Sequence, residues 1–219
     1  MNDIKIFIGL ILFLEIIFIG AILFVLAQAL KKTGRGLKSV FVVAIILLLW
    51  LTGITIFNFT TEVFTKELLL AVVIPVILGV LLLLWKPYKE VIKAIPQAHY
   101  MKLQALRILF GVLFLLEAFF SVLPTWFRNL AGFGDIAAGI AGSFAFILIV
   151  RFGVKQWQVI AANSIGILDF ITVLPLGLFV VVVDAPVELT INLIPLFAVP
   201  LFILQHIYSL TYLKAQQSG

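Results

Sequence analysis

Arg107, Asp169 and His206 stand in apolar surroundings, and their types could do chemistry there. A fixed cation, a carboxylate and an imidazole together can hold a charged solute, relay a proton or activate a nucleophile. Gln104 and Asn163 add amide donors and acceptors nearby in the sequence. A second set, Glu117, Arg128 and Asp135, includes the tetrad Gly132-Phe133-Gly134-Asp135, which raises the question of a carboxylate pair with Asp169. What these residues do depends on the elements that carry them and on their depth.

Those elements are set by composition. The 219 residues are 64% hydrophobic and 11% charged, far more apolar than a soluble domain, with a mean hydropathy of +1.28. The expected fold is therefore all-α: one membrane domain, a bundle of seven transmembrane helices over residues 4–30, 40–59, 68–85, 103–123, 133–150, 157–183 and 193–213. Residues 87–102 read as a segment lying along the membrane surface, with Val91, Ile92 and Ile95 on one face and Lys89, Lys93 and Gln97 on another. The first span is too long for a signal-peptide core and is expected to stay in the mature chain. There is no cysteine, which removes disulfides and thiolate chemistry.

Positive charge orients the bundle. Alternate connections collect Lys31, Lys32, Arg35 and Lys38, then Lys86, Lys89, Lys93, Lys102 and Arg107, then Arg151 and Lys155, and last Lys214. Only Lys5, Lys66 and Arg128 fall on the other side, so the N-terminus is expected outside and the C-terminus in the cytoplasm, in a cytoplasmic (inner) membrane. Trp85, Trp126 and Trp157 fall at span ends, where indoles prefer to sit. The net charge of +5 belongs to this topology, and no nucleic-acid partner is expected.

Depth follows at 1.5 Å per residue from the outer end of each expected span. Arg107 comes out about 24 Å deep, Asp169 about 21 Å and His206 about 20 Å, so these three can share a layer. Asp135 comes out only about 3 Å deep and Glu117 about 9 Å, which makes an outer group in which Arg128 is expected to pair with Asp135. On that reading Asp135 sits in the first turn of its helix, favoured by the helix dipole. Gly134, Ala138 and Gly142 form a small-residue ridge for close helix packing. A G-x-G-D intramembrane aspartyl protease needs two aspartates across one water. With about 18 Å between Asp135 and Asp169, and with the tetrad preceding its partner, that activity is not expected.

No cofactor and no metal is expected. Bis-histidine haem needs two histidines at one depth, and His99 falls in the inner loop while His206 is in the membrane. Zinc needs three or four ligands where only His206 and Asp169 offer themselves. A retinal Schiff base needs a lysine within the last three spans, which have none.

From Ile95 to Leu213 the chain resembles a family of uncharacterised bacterial polytopic membrane proteins. The resemblance rests on Ile95-Pro96-Gln97, on Gln104 with Arg107 and Gly111, and on Leu123-Pro124 before Gly132-Phe133-Gly134-Asp135. It continues through Asn163 with Gly166 and Asp169, and from Leu193-Ile194-Pro195 to His206 and Ser209-Leu210. It implies that Gln104, Arg107, Asp135, Asn163, Asp169 and His206 act as one set, and names no substrate. The expected seven-helix architecture is also similar to that of the sugar-transporting SWEET proteins. Ile74-Pro75 and Ile194-Pro195 open the third and seventh spans alike.

Three functions remain open. The leading expectation is transport or binding of a small solute or proton at a site of Arg107, Asp169 and His206, with Asn163 and Gln104. An intramembrane enzyme using Asp169 or His206 as its base predicts a cavity open to lipid or water beside them. In a scaffold, the polar residues only lock helices together.

Overall fold

The computed structural model describes residues 2–36, 38–60, 65–119, 123–183 and 193–213, and every regular element among them is a helix. In chain order these are α1 (Asn2–Lys32), α2 (Lys38–Thr60), α3 (Thr65–Leu82), α4 (Lys86–Ala94), α5 (Gln97–Ala105), α6 (Arg107–Leu116), a 3-10 turn at Glu117–Phe119, α7 (Thr125–Phe152), α8 (Gln156–Val183) and α9 (Leu193–Thr211). Five of them, α1, α2, α7, α8 and α9, are long and apolar enough to cross a membrane. The number becomes six if α3 and α4, bent at 97° to each other, count as one broken span.

Two boundaries depart from the sequence reading. The expected surface segment 87–102 is only half surface helix. Trp85 opens it in an extended conformation, and α4 then buries Val91 and Ile92 while Lys86 and Lys89 stay exposed. Pro96, extended at φ −62° and ψ 146°, ends that segment and starts α5 at Gln97, whose buried face is Gln97, Tyr100, Met101, Leu103 and Gln104. A tightened turn at Leu106, whose N–H reaches back to Leu103 O at 3.1 Å, joins α5 to α6, so helix extends from Gln97 where the sequence suggested a span from 103. The second departure matters more. Helix α7 begins at Thr125, eight residues before the expected start at 133, because Pro124 supplies an extended N-cap and needs no N–H of its own. Thr125 to Asn129 look like loop by polarity, yet Phe127 and Ala131 are buried on the inner side of these first turns.

Helix α7 packs against α5, α6 and α8, and α9 against α1, α2, α3, α5 and α8. In α9, 67% of the apolar window is buried, against 11% in α2, so α9 is an inner helix and α2 a peripheral one. The outward faces carry Phe41, Ile45, Leu49, Phe133, Phe144 and Ile171, the composition expected where hydrocarbon is the solvent. Trp85, Trp126 and Trp157 are all exposed at helix ends.

Glycines set how closely α7 approaches its neighbours. A Cβ on Gly111 of α6 would stand 2.5 Å from Gly132 O, and one on Gly142 would stand 2.9 Å from Gln104 and 3.0 Å from Met101 O. Gly132, Asp135, Gly139 and Gly142 thus recur at three- and four-residue steps along the seam with α5 and α6. Gly134, expected on the same ridge as Gly142, instead faces α8. Gly111→Ala is expected to destabilise the fold by about 1 to 3 kcal/mol, read as a lower melting temperature of the solubilised protein. Gly20→Ala, with nothing within 4 Å of its Cβ position, is expected to hold or raise that temperature. Equal melting temperatures for the two variants would contradict this contact.

Candidate functional site

Arg107 is the first residue of α6, and no part of its side chain is exposed. A buried guanidinium has five N–H donors to satisfy. Two helices supply three acceptors to it. Nε donates to Asp135 Oδ1 of α7 at 2.7 Å, Nη2 donates to Asp169 Oδ2 of α8, and Nη1 donates to Gly166 O of α8 at 3.1 Å. The guanidinium carbon also lies 4.0 Å from the centre of the Phe170 ring and 5.7 Å from that of Phe202 on α9, so aromatic faces cover what the carboxylates leave open.

Local sequence explains how the three charges meet. Glycine at 134 leaves the space that Asp169 Oδ1 occupies, since a Cβ there would overlap that oxygen. Glycine at 166 does the same for its neighbours. A Cβ there would stand 2.5 Å from His206 Cε1, 2.7 Å from His206 Nε2 and 3.0 Å from Arg107 Nη1. Each glycine holds open the room that a charged or polar side chain of another helix fills.

A second network starts on the other side of Gly166. Gln97 Nε2 donates to Ser209 O at 2.8 Å, and Ser209 Oγ donates to Gln97 Oε1 at 2.8 Å. Asn163 Nδ2 donates to Val159 O at 2.8 Å and to Ser209 Oγ at 3.1 Å. Backbone carbonyls only accept, so both amides are fixed in orientation, and Asn163 Oδ1 must be the acceptor that faces His206 Nδ1 at 2.7 Å. The imidazole proton therefore sits on Nδ1. Nε2 is left as a lone-pair acceptor, buried and without a partner among the described residues. Gln104 stands between the two networks and donates through Nε2 to Ala138 O at 3.1 Å and to Ala162 O at 2.8 Å, tying α5 to α7 and α8.

The expected residues therefore divide differently from the sequence reading. Arg107 and Asp169 do meet, and His206 lies beside them across Gly166, bonded to Asn163 and not to either charge. Asp135 moves from the outer group to the centre. With α7 starting at Thr125, it lies about 15 Å along its helix, and Arg107 lies about 14 Å from the end of α6 at Leu116, so the two share a level. Its partner is Arg107 and not Arg128, and it is not in a first turn. Arg128 instead faces Glu117 at 3.8 Å, and Glu117 Oε1 accepts from Leu123 N at 2.8 Å, a pair separate from the Arg107 cluster. Gln97 and Phe170 are members the sequence reading did not place in the site. The signal for Phe170 was its position four residues after Gly166, on the same helical face.

One guanidinium between two carboxylates is a strong mutual dependence. Arg107→Leu leaves two carboxyls in the interior without their cation and is expected to lower stability by about 3 to 5 kcal/mol. Adding Asp135→Asn and Asp169→Asn to that variant is expected to recover a large part of the loss. Melting temperatures that fall additively across the three substitutions would contradict a shared cluster.

No curated protein and no solved structure matches the chain. The model of one family, described as a domain of unknown function (DUF8737), matches residues 63–214, a segment that contains both networks in full. On that match the chain belongs to the DUF8737 family.

Proposed function

We propose that the chain is a seven-span protein of the bacterial inner membrane, with its N-terminus outside and its C-terminus in the cytoplasm. In this reading the cluster of Arg107, Asp135 and Asp169, with His206 beside it, forms a proton-responsive site that binds or moves a small solute. The crossing count is supported by α5 and α6. Together they run from Gln97 to Leu116, about 30 Å of helix, enough for a span that neither makes alone. The orientation is supported by exposed Lys31 and Lys32 in the last turn of α1, half-buried Arg35 after it, exposed Lys86 and Lys89 on α4, and exposed Arg151 in the last turn of α7 with Lys155 before α8. Arg107 no longer counts among these flanking charges, since it points inward.

The observation that carries the functional reading is the charge balance of the cluster. One fixed cation faces two carboxyls in an interior where uncompensated charge is expensive, so the group is completed by one proton or one small cation. Gaining and losing that charge changes what holds α6, α7 and α8 together, and so couples a bulk proton gradient to helix packing. The expected result is that purified protein in liposomes passes protons, read by a trapped pH dye, when a matching solute is offered from a panel of sugars, amino acids and small acids. Asp169→Asn is expected to slow that flux at least about tenfold. Flux at the wild-type rate in Asp169→Asn would sink the proposal.

A specific feature favours a second reading, the intramembrane enzyme. A cleft of about 480 Å³ lies between α8 and α9, walled by Ile167, Phe170, Ile171, Leu174 and Ile203, with His206 as its one titratable residue. Such a cleft suits a lipid-borne substrate, with the imidazole as base. On this reading His206→Gln abolishes turnover of a membrane lipid in reconstituted vesicles, while no proton flux accompanies any solute.

A further inference from the structure

Glu15 belongs to neither network and lies outside the family-matched segment. It stands near the middle of α1, no part of it is exposed, and neither carboxyl oxygen has a hydrogen-bond partner among the described residues. An ionised carboxylate so placed would have no donor and no paired cation among the described residues to replace its hydration. Insertion does not account for the carboxyl, because any of the leucines and isoleucines around it would insert more readily.

Its position is the informative part. One turn further along α1, Phe18 stacks on Phe202 of α9 with ring centres 4.4 Å apart and meets Phe110 of α6 at 5.8 Å. Phe110 and Phe202 meet at 5.6 Å, so three rings from three helices close one layer. Arg107 lies one turn before Phe110 on α6, and His206 lies one turn after Phe202 on α9. Since α6 runs against α1 and α9 in the seven-span topology, Arg107 and His206 lie on one side of the ring layer and Glu15 on the other. The ring layer is thin, since Phe202 itself is 5.7 Å from the Arg107 guanidinium.

We infer that Glu15 is a proton-binding carboxyl, a second ionisable station set across the Phe18, Phe110 and Phe202 layer from the Arg107 cluster. The ligand is a proton, because a proton needs no cavity beside a carboxyl that is fully buried. The elements packed against α1 are α2, α4, α5, α6 and α9. Of their other titratable or charged groups, Tyr88 of α4 meets Tyr208 of α9 at 3.0 Å and Tyr100 of α5 donates to Ile92 O at 3.0 Å, while four more stand toward the far end of α1. His99 of α5 meets Gln28 at 2.6 Å, Lys102 lies over the Phe24 ring at 5.8 Å, Glu90 of α4 pairs with Arg35, and Lys38 opens α2. On α1 itself Lys5 is ten residues, about 15 Å, away. Arg107 and His206 lie beyond the rings, one turn from Phe110 and from Phe202 on the facing helices. That Glu15 hands its proton toward the cluster rests on the proton-responsive reading above; that it holds one does not.

The test is infrared spectroscopy of the full-length protein in liposomes at neutral pH. The wild-type minus Glu15→Gln difference spectrum is expected to contain the carbonyl stretch of one un-ionised carboxylic acid, moving on transfer to D2O. Glu15→Asp, which keeps the acid on a shorter stem, is expected to shift that band without removing it, and decides the matter if the glutamine variant does not fold. A difference spectrum holding only carboxylate bands overturns the inference, even where Asp169-dependent flux is present. The acid band in a protein that passes no protons overturns the transport reading and leaves the Glu15 site standing.

Discussion

Burying one guanidinium completely is the constraint to which the rest of the bundle answers. The charge of a guanidinium must be met inside the protein, and a single helix cannot meet it. Carboxylates arrive from α7 and α8, a carbonyl from α8 and ring faces from α8 and α9. Four helices are thereby fixed in rotation about one point. An arginine at this position that reached for the headgroups would have left Asp135 and Asp169 facing each other with nothing between them.

The glycines follow from that requirement. Charged side chains need lateral room that a close-packed helix pair does not have, and here the room is made by removing Cβ atoms. Gly134 gives Asp169 its place, Gly166 gives His206 and Arg107 theirs, and Gly111, Gly132, Gly139 and Gly142 bring α7 close enough to α5 and α6 for Asp135 to reach. In lipid, where apolar surfaces gain little by leaving hydrocarbon, such close approach and interhelical hydrogen bonds are the main forces that hold helices together. Packing and ion pairing are here one device.

The same dependence explains what was legible in the sequence. Apolar runs of the right length marked α1, α2, α8 and α9 within a few residues, because hydropathy reports the solvent directly. Arg107, Asp169 and His206 stood out as ions in hydrocarbon. Asp135 was misplaced by one boundary: Thr125 to Asn129 are polar enough to read as loop, and only tertiary contact through Phe127 and Ala131 makes them helix. A shift of eight residues is about 12 Å along a helix, which was enough to assign Asp135 to Arg128 in place of Arg107. Residues 184–192, where an aspartate and a proline divide the last two expected spans, lie outside the described residues. Pairing partners are three-dimensional facts, and a depth count inherits every error in the ends from which it is measured.

Gly166 joins the charged cluster to the neutral network. Its carbonyl accepts from Arg107 Nη1, while the open space at its α-carbon takes the edge of the His206 ring. The His206 ring is in turn the end of a chain of hydrogen bonds that runs through Asn163 and Ser209 to Gln97, with every donor direction fixed by backbone carbonyls. A change in the charge of the Arg107 cluster therefore meets, as its first neighbour, an imidazole whose free nitrogen has no partner among the described residues. Any relaxation of Arg107 away from Gly166 O frees a carbonyl and a donor beside that nitrogen, and the fixed polarity of the chain carries the disturbance to Gln97 at the start of α5. α5 runs on through Leu106 into α6, which bears Arg107, so the two networks form a closed loop through the backbone as well as through side chains.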